Sequence, residues 1–150
     1  MLRLFRKAQQ DYIAAMLKDP TTKAAWAEKD GVYLLVIAEG SAAYFIPKPF
    51  LYILLKEEKK APGLSFLLDE PAGEEPARLV STDPQGRVKL QSEHHTVYAY
   101  EKNLKPFLAA KGATLYVTSP IKPIRVYAEG NPFCLGVVMP INPAKVARGV

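Results

Sequence analysis

The feature that most constrains the fold is a series of three short apolar runs near the C-terminal end of the sequence. The runs cover residues 115–118, 124–128 and 134–139. Proline and glycine separate them at nearly even spacing, which is typical of short antiparallel strands joined by turns. A helical pattern precedes them over residues 104–111, with Leu104, Phe107 and Leu108 on one face. This part of the chain is predicted to form a helix followed by three strands.

The same order occurs earlier in the chain. Residues 2–17 show a helical pattern in which Gln9 interrupts the apolar stripe. Three apolar runs follow, over residues 32–38, 42–46 and 50–55. In both parts a proline precedes the third run, Pro49 in one and Pro132 in the other. Residue identity between the parts is slight, so the repeat is one of pattern only.

The repeated pattern predicts an α+β fold, with two helix-plus-three-strand halves, antiparallel sheets and both helices on one side. At 150 residues the chain is expected to be a single domain. The first half covers residues 1–60 and the second residues 77–142. An acidic connection rich in proline and glycine joins them over residues 61–76, and a basic tail follows over residues 143–150.

Local sequence signals predict the helix ends, turns and connecting segments between these elements. Asp19-Pro20 ends the first helix, and Ala24, Ala25 and Trp26 are expected to form a short helical turn that places the tryptophan in the core. Asp30-Gly31 indicates a turn. Residues 64–68 are interpreted as a short strand or docked segment, and residues 82–86 as the turn of a hairpin. Asn103 is predicted to cap the second helix, with Pro106 in its first turn and Gly112 just past its end.

The composition favours a folded protein of the cytoplasm. Apolar residues make up 49% of the chain, enough for a real core. Cys134 is the only cysteine, so no intramolecular disulfide can form. The N-terminal ten residues contain no continuous apolar run typical of a signal peptide, and no run approaches the roughly 20 residues of a membrane span. We therefore expect no membrane association.

No convincing catalytic site, metal site or cofactor site emerges from the sequence. It has no nucleophile elbow, P-loop or dinucleotide fingerprint. His94 and His95 are neighbours on a predicted strand and would point to opposite faces, which disfavours a shared metal ion. Cys134 is expected to be a buried thiol. The acidic residues of the connection are interpreted as solvated, with a paired-carboxylate site left open; they are Asp69, Glu70, Glu74 and Glu75.

The basic residues are the better functional candidates. The net charge is +5, and the excess lies around the two predicted helices and the last strands. Contact with duplex phosphates needs several cations on one surface and does not read sequence. Seven lysines and arginines could supply it: Arg3, Arg6, Lys7, Lys18, Lys102, Lys105 and Lys111. The alternative is a set of ordinary solvated helix faces.

The closing part of the chain resembles the end of the bacterial DNA polymerase sliding clamp, the processivity-factor β subunit. The resemblance covers about a third of the chain, over residues 96–142. It rests on Val137-Val138-Met139-Pro140-Ile141, which is similar to the family's closing strand, and on the proline-rich segment 119–124. The duplicated helix-plus-three-strand order agrees with it, because a clamp domain is built from two such halves.

The resemblance implies a non-enzymatic protein. Clamp domains assemble into a ring that encircles duplex DNA, with helices lining the hole. Replication and repair proteins bind a hydrophobic pocket that includes the closing strand. Carried to this sequence, that pocket would include Val137, Met139 and Pro140. The expected partners are therefore double-stranded DNA, replication or phage proteins, and further copies of the chain.

The sequence also departs from the family. Clamp subunits contain two or three such domains, whereas this chain has room for one, so a ring would need about six copies. Asn142 stands where the family often has a basic residue, and eight residues follow it. A phage or mobile-element relative with a changed role fits these departures. The alternative function is a protein-interaction or structural module with the same fold and no DNA role.

Overall fold

The chain folds into two compact units, Met1–Glu70 and Pro71–Val150. The computed structural model describes residues 2–18, 23–37, 40–131 and 133–147. Three features of the sequence analysis lie outside these ranges. They are the helix end predicted at Asp19-Pro20, the proline Pro132 before the last apolar run, and the last three residues of the predicted basic tail. Each unit contains a helix that is followed by three strands.

Unit 1 consists of a helix, a three-stranded antiparallel sheet and an irregular C-terminal stretch. Its regular elements are α1 (Leu2–Lys18), β1 (Ala25–Lys29), β2 (Val32–Ile37) and β3 (Ala42–Pro47). The apolar strand β2 pairs with both β1 and β3, which agrees with its prediction as a central strand. Asp30 and Gly31 both have positive φ, as the two-residue turn of a tight hairpin requires. Three short 3-10 helices follow, at Lys48–Phe50, Glu57–Lys59 and Pro62–Leu68.

One local prediction in unit 1 is wrong, and a second is decided between its two alternatives. Residues 25 and 26 begin strand β1 rather than a helical turn, because cross-strand pairing of Trp26 with Leu35 outweighs the helical preference of the alanines. The predicted core position of Trp26 is confirmed, since its side chain is buried. Residues 64–68 form part of a 3-10 helix, so of the two alternatives the strand is wrong; the contacts of this helix with β1 agree with a docked segment.

The predicted third strand over residues 50–55 is also absent from the sheet. The segment is extended, with exposure alternating from Leu51 to Lys56, but it lies against α1. The buried Gln9 side chain holds it there: its amide nitrogen donates to the Phe50 carbonyl at 2.9 Å, and its oxygen accepts from the Tyr52 N–H at 2.8 Å. The polar residue that interrupts the apolar stripe of α1 is therefore the residue that docks this segment.

Unit 2 is built on antiparallel strands. Its elements are β4 (Glu75–Thr82), β5 (Arg87–Gln91), β6 (Thr96–Tyr100), α2 (Glu101–Leu108), β7 (Thr114–Val117), β8 (Ile124–Tyr127), β9 (Gly136–Val138) and α3 (Pro143–Ala147). The strands are ordered β9-β8-β7-β4-β5-β6. The first part of β4 pairs with β7, and its second part pairs with β5. The predicted hairpin turn is confirmed, and Asp83 accepts from the backbone N–H groups of Gln85 and Arg87.

The second helix begins earlier than predicted. It starts at Glu101, so Pro106 lies inside it and Asn103 is a buried helical residue rather than a cap. Tyr100 occupies the cap position without a side-chain hydrogen bond. Gly112 lies beyond the helix with φ of +67°, and a Cβ there would approach Glu129 Cβ to 2.5 Å. A glycine is therefore required at this turn for both conformation and space.

The predicted α+β class and antiparallel pairing are confirmed. The described residues contain three α-helices, because part of the predicted basic tail forms α3. None of these helices is both long enough and apolar enough to cross a membrane.

Candidate nucleic-acid interface

Helix α1 carries a row of cations on its exposed face. The 3.6-residue period places its apolar residues on the other face, where Leu4, Phe5, Ala8 and Tyr12 are buried. The exposed face includes all four predicted cations, Arg3, Arg6, Lys7 and Lys18. At 1.5 Å per residue, the Cα atoms of Arg3 and Lys18 are about 22 Å apart along the axis. Arg3, Arg6 and Lys7 lie close together near the start of the helix and Lys18 lies at its end, so the face can contact phosphates at both ends.

One acid lies within this row. Asp11 is the only acidic residue of α1, and it pairs with Lys7 at 3.0 Å between Nζ and Oδ2. Both side chains are substantially exposed, so the pair contributes little free energy and Lys7 can exchange it for a phosphate. The face therefore remains net positive.

The second predicted group of cations belongs to unit 2. Lys102 and Lys105 lie on the exposed side of α2, and Lys111 is exposed in the turn that follows. Lys102 Nζ lies 5.6 Å from the centre of the Tyr100 ring, within the range of a cation–π contact. The buried residues Asn103, Leu104 and Phe107 form the opposite side. Helix α2 thus separates buried and charged residues, but Leu108, which was predicted on the apolar face, is exposed.

The predicted partner-binding residues differ in accessibility. Val137 is buried in β9, where it pairs with Arg125 of β8. Met139 is exposed and Pro140 is half-buried, just after the strand. Of these three, Met139 presents the most surface to a partner.

The comparisons with known proteins add no identification. The sequence matches no protein-family model, no curated protein and no solved structure.

Glu75 forms a hydrogen-bonded cluster that the sequence analysis did not predict. Its carboxylate accepts from the Ser92 hydroxyl, from the His94 N–H and from His94 Nδ1, the last two at 2.8 Å. These bonds, that from Ser92 foremost, lower the pKa of Glu75 to about 2, and Glu75 in turn raises the pKa of His94. His94 lies in the turn between β5 and β6 rather than on a strand, which corrects the earlier interpretation.

This cluster does not pair the serine with the histidine. The Ser92 hydroxyl donates to Glu75 and not to the imidazole of His94, so the histidine is not placed to take the serine proton. Among the described residues, no group of three or more histidine, cysteine or acidic side chains could hold a metal ion. The cluster connects the start of β4 to the β5–β6 turn.

Glu74 takes part in a second cluster, although it was interpreted as solvated. Its side chain is largely buried; Oε2 lies 3.7 Å from Arg125 Nε and accepts from the Tyr127 hydroxyl at 3.3 Å. Burial raises the pKa of Tyr127 and of the neighbouring Cys134 thiol. The one hint in the sequence is Arg125, a charged residue within an apolar strand run, because a buried arginine requires an acidic partner.

Proposed function

We propose that this chain is a non-enzymatic, DNA-associated protein with a fold related to a sliding-clamp domain. Exposed cations of α1 and α2 contact the phosphates of duplex DNA without reading sequence. The observation that carries the proposal is the exposed face of α1, where four cations accompany a single acid. The helix-then-three-strand order within each unit supports the relationship to a clamp domain.

The proposal includes association with further copies of the chain and with replication or phage proteins in the cytoplasm. Residues 78–82 of β4 pair with β5 on one side. Among the described residues, no strand pairs with the other side of this stretch, because β7 pairs only with residues 75–77. Leu79 and Val80 are exposed there. An unpaired strand edge is a template for pairing with a second chain. The exposed Met139 is the residue we assign to contact with a replication or phage partner.

The proposal is tested by binding a labelled, mixed-sequence duplex at increasing salt, with fluorescence anisotropy as the measurement. If the four α1 cations contact phosphates, the logarithm of the association constant falls against the logarithm of salt with a slope near −3.6 or steeper. The double variant Arg3→Glu/Arg6→Glu should make that slope shallower by about 2 and weaken binding at low salt. Lys105→Glu/Lys111→Glu tests the α2 group in the same way.

The matched control is Lys48→Glu/Lys122→Glu. It changes the net charge equally at two exposed lysines that lie outside both helical faces. An equal loss in the control would mean that only net charge matters, and no duplex binding by the unmodified chain at low salt would refute the proposal. Light scattering on the same samples gives the number of copies in the complex.

A second candidate is a protein-interaction module without a DNA role. It is favoured by large apolar side chains on the surface of unit 1, above all Leu17 and Leu54. Both residues line the same open pocket of unit 1, and contiguous exposed apolar surface is typical of interaction sites. A chain that binds a protein partner with affinity independent of salt, and does not bind duplex at low salt, would fit this candidate.

A further inference from the structure

The strands β4, β5 and β6 of unit 2 present two faces that differ in chemistry. On one face Val88 of β5 pairs with Ala99 of β6, Leu90 pairs with Val97, and all are buried. Side chains alternate between the faces along a strand, so the residues between these point away from the core. We call this second face the tyrosine–cation face; it consists of Arg78 on β4, Arg87, Lys89 and Gln91 on β5, and Tyr98 and Tyr100 on β6.

Each tyrosine of this face lies directly beside a basic residue of the neighbouring strand. Tyr98 is opposite Lys89, and Tyr100 is opposite Arg87. Residues that are directly opposite in antiparallel strands have Cβ atoms about 4.5–5.5 Å apart. Both tyrosines and Lys89 are half-buried, so part of each side chain stays accessible to a ligand. The face therefore places an aromatic ring next to a cation twice in succession.

The polar side chains of the face differ in whether they are already bonded. Those of Arg78, Lys89 and Tyr98 make no hydrogen bond or ion pair with any other described residue. The Thr96 hydroxyl, in contrast, donates to the Gln91 side-chain oxygen. The Gln91 amide nitrogen donates to two backbone carbonyls of the β5–β6 turn. The groups available to a ligand are thus cations and rings rather than amides.

Two acids lie at one end of the face, and each is accompanied by a cation. Asp83 bonds to Arg87 at 2.6 Å between Oδ2 and Nε, and Glu101 precedes Lys102 at the start of α2. The two cations without a bonded partner therefore give the face a positive excess. Lys102 Nζ also lies 5.6 Å from the centre of the Tyr100 ring, and an exposed contact of this kind is weak enough to yield to a base.

Accessible rings beside unpaired cations are complementary to a single-stranded nucleic acid. Unpaired bases stack on aromatic side chains, and a positively charged surface follows the phosphates. The bases of a duplex stay stacked on each other and cannot lie on these rings. Tyr98 and Tyr100 are two positions apart on one strand, about 6.6–6.8 Å, which is about twice the 3.4 Å rise per base of a duplex strand. Each ring can thus take one base of a strand whose bases are no longer stacked on each other.

The bonded state of the polar side chains favours DNA over RNA. Proteins distinguish RNA through its 2′-hydroxyl, which donates and accepts hydrogen bonds. The amide of Gln91 and the hydroxyl of Thr96 are engaged within the protein and are not available for such a contact. Stacking and phosphate contact, which remain, do not require the 2′-hydroxyl.

We propose that the tyrosine–cation face binds single-stranded DNA. Successive bases stack on Tyr98 and Tyr100, and Lys89 and Arg78 contact the phosphates. This face is separate from the cations of α1 that carry the proposed duplex contact. Binding of single strands can therefore fail while duplex binding succeeds, and the reverse.

The test is binding of a fluorescein-labelled oligodeoxythymidine of about 12 nucleotides to the full chain at low salt, measured by fluorescence anisotropy. Oligouridine of the same length is the RNA comparison, and the labelled mixed-sequence duplex is measured in parallel. We expect the oligodeoxythymidine to bind at least as tightly as the oligouridine. No binding of the oligodeoxythymidine at low salt, or tighter binding of the oligouridine, would overturn the assignment to single-stranded DNA.

Tyrosine variants test stacking without a change of charge. Tyr98→Leu removes the ring but keeps an apolar side chain, so binding of the oligodeoxythymidine should weaken about five- to fiftyfold while duplex binding is unchanged. Tyr98→Phe keeps the ring and should bind like the unchanged chain. Tyr52→Leu, at an exposed tyrosine of unit 1, is the control. Thermal melting followed by circular dichroism checks that each variant is folded.

Three results with these variants would contradict the role of the ring. They are unchanged single-strand binding by Tyr98→Leu, a loss as large for Tyr98→Phe or Tyr52→Leu, and an equal loss of duplex binding by Tyr98→Leu.

Lys89→Met tests the phosphate contact through its salt dependence. For the oligodeoxythymidine, the slope of the logarithm of the association constant against the logarithm of salt should become shallower by about 0.7. The slope for the duplex should not change, because Lys89 lies outside the helical cations. Lys122→Met is the control for an exposed lysine of unit 2 outside the face. A single-strand slope that Lys89→Met leaves unchanged, or that Lys122→Met changes equally, would contradict the contact.

Discussion

The two units hold their irregular backbone against regular elements by different chemistry. In unit 1, the neutral side chains of Gln9 and Trp26 fasten the segment of residues 50–56. In unit 2, the start of β4 and the residue before it are held through carboxylates, Glu74 by Arg125 and Tyr127, and Glu75 by Ser92 and His94. The attachments in unit 1 therefore use neutral hydrogen-bonding side chains, whereas those in unit 2 use carboxylates.

The two kinds of attachment should respond differently to a change of shape and to a change of charge. A neutral amide or indole needs only geometry, so its hydrogen bonds persist over a wide range of pH and salt. An ionised attachment is stronger when paired, but it fails when one partner is removed or changes its protonation state. Unit 1 should thus be sensitive to the shape of its attachments, and unit 2 to their charge.

The largest effect is expected from Arg125→Met. The substitution keeps an unbranched side chain in β8 but leaves the buried Glu74 carboxylate without its cation, which should lower the free energy of unfolding by about 3–5 kcal/mol. Urea denaturation followed by circular dichroism measures the loss. The double variant Arg125→Met/Glu74→Gln should recover part of it.

The exposed Arg78→Met is the control and should change stability by less than about 0.5 kcal/mol. A cost for Arg125→Met no larger than that of this control would mean that the ion pair is not what holds the start of β4.

A smaller loss, about 2–4 kcal/mol, is expected from Gln9→Leu. Leucine fills a similar volume but leaves the Phe50 carbonyl and the Tyr52 N–H without the partner that the glutamine provides. The same denaturation experiment measures it, and the loss should be equal at pH 5 and pH 8 because no group in this attachment ionises. Gln10→Leu, on the exposed face, is the control. A loss that varies with pH would remove the distinction between the two units.

The smallest effect is the dependence of stability on the ionisation of the His94–Glu75 pair. The pKa of His94 is raised above 6.5, so its contribution is complete below pH 6.5 and declines as the pH rises through the raised value. The pKa of Glu75 is lowered from 4.5 to about 2, so its contribution is complete above about pH 4.5 and is lost as the pH falls towards 2.

His94→Gln should therefore reduce stability below pH 6.5 and approach the stability of the unchanged chain at higher pH. Denaturation midpoints between pH 5 and 9 give this profile. His95→Gln is the control, since in the described part of the chain the His94 ring, and not the His95 ring, bonds to Glu75. Parallel pH profiles for the unchanged chain and His94→Gln would contradict the assignment.

Most of the helices and strands could be predicted because local periodicity determines them. The amphipathic period of α1, the apolar runs of β2 and β3, and the turn chemistry at Asp83 each specify their element from nearby residues. One prediction failed because it depends on contacts between residues distant in sequence. Residues 50–55 have the composition of a strand, but Gln9, more than 40 positions earlier, diverts them from the sheet.

The same contrast between local pattern and distant contacts applies to the candidate functional residues. The exposed cations of α1 and α2 could be predicted, because helical period alone decides which residues face outward. The burial of Glu74 could not, because a glutamate in a loop rich in proline and glycine is ordinarily solvated, and its cation comes from β8, about 50 residues later.

The attachment of the Lys56 carbonyl to Trp26 has a practical consequence. Trp26 is the only tryptophan in the chain, and its indole N–H bonds to one end of the segment that Gln9 holds at the other. Its fluorescence emission, which shifts with polarity and hydrogen bonding around the ring, is an intrinsic optical reporter of whether this segment stays docked. Release of the segment could thus be followed in real time, separately from unfolding of unit 2, without a label.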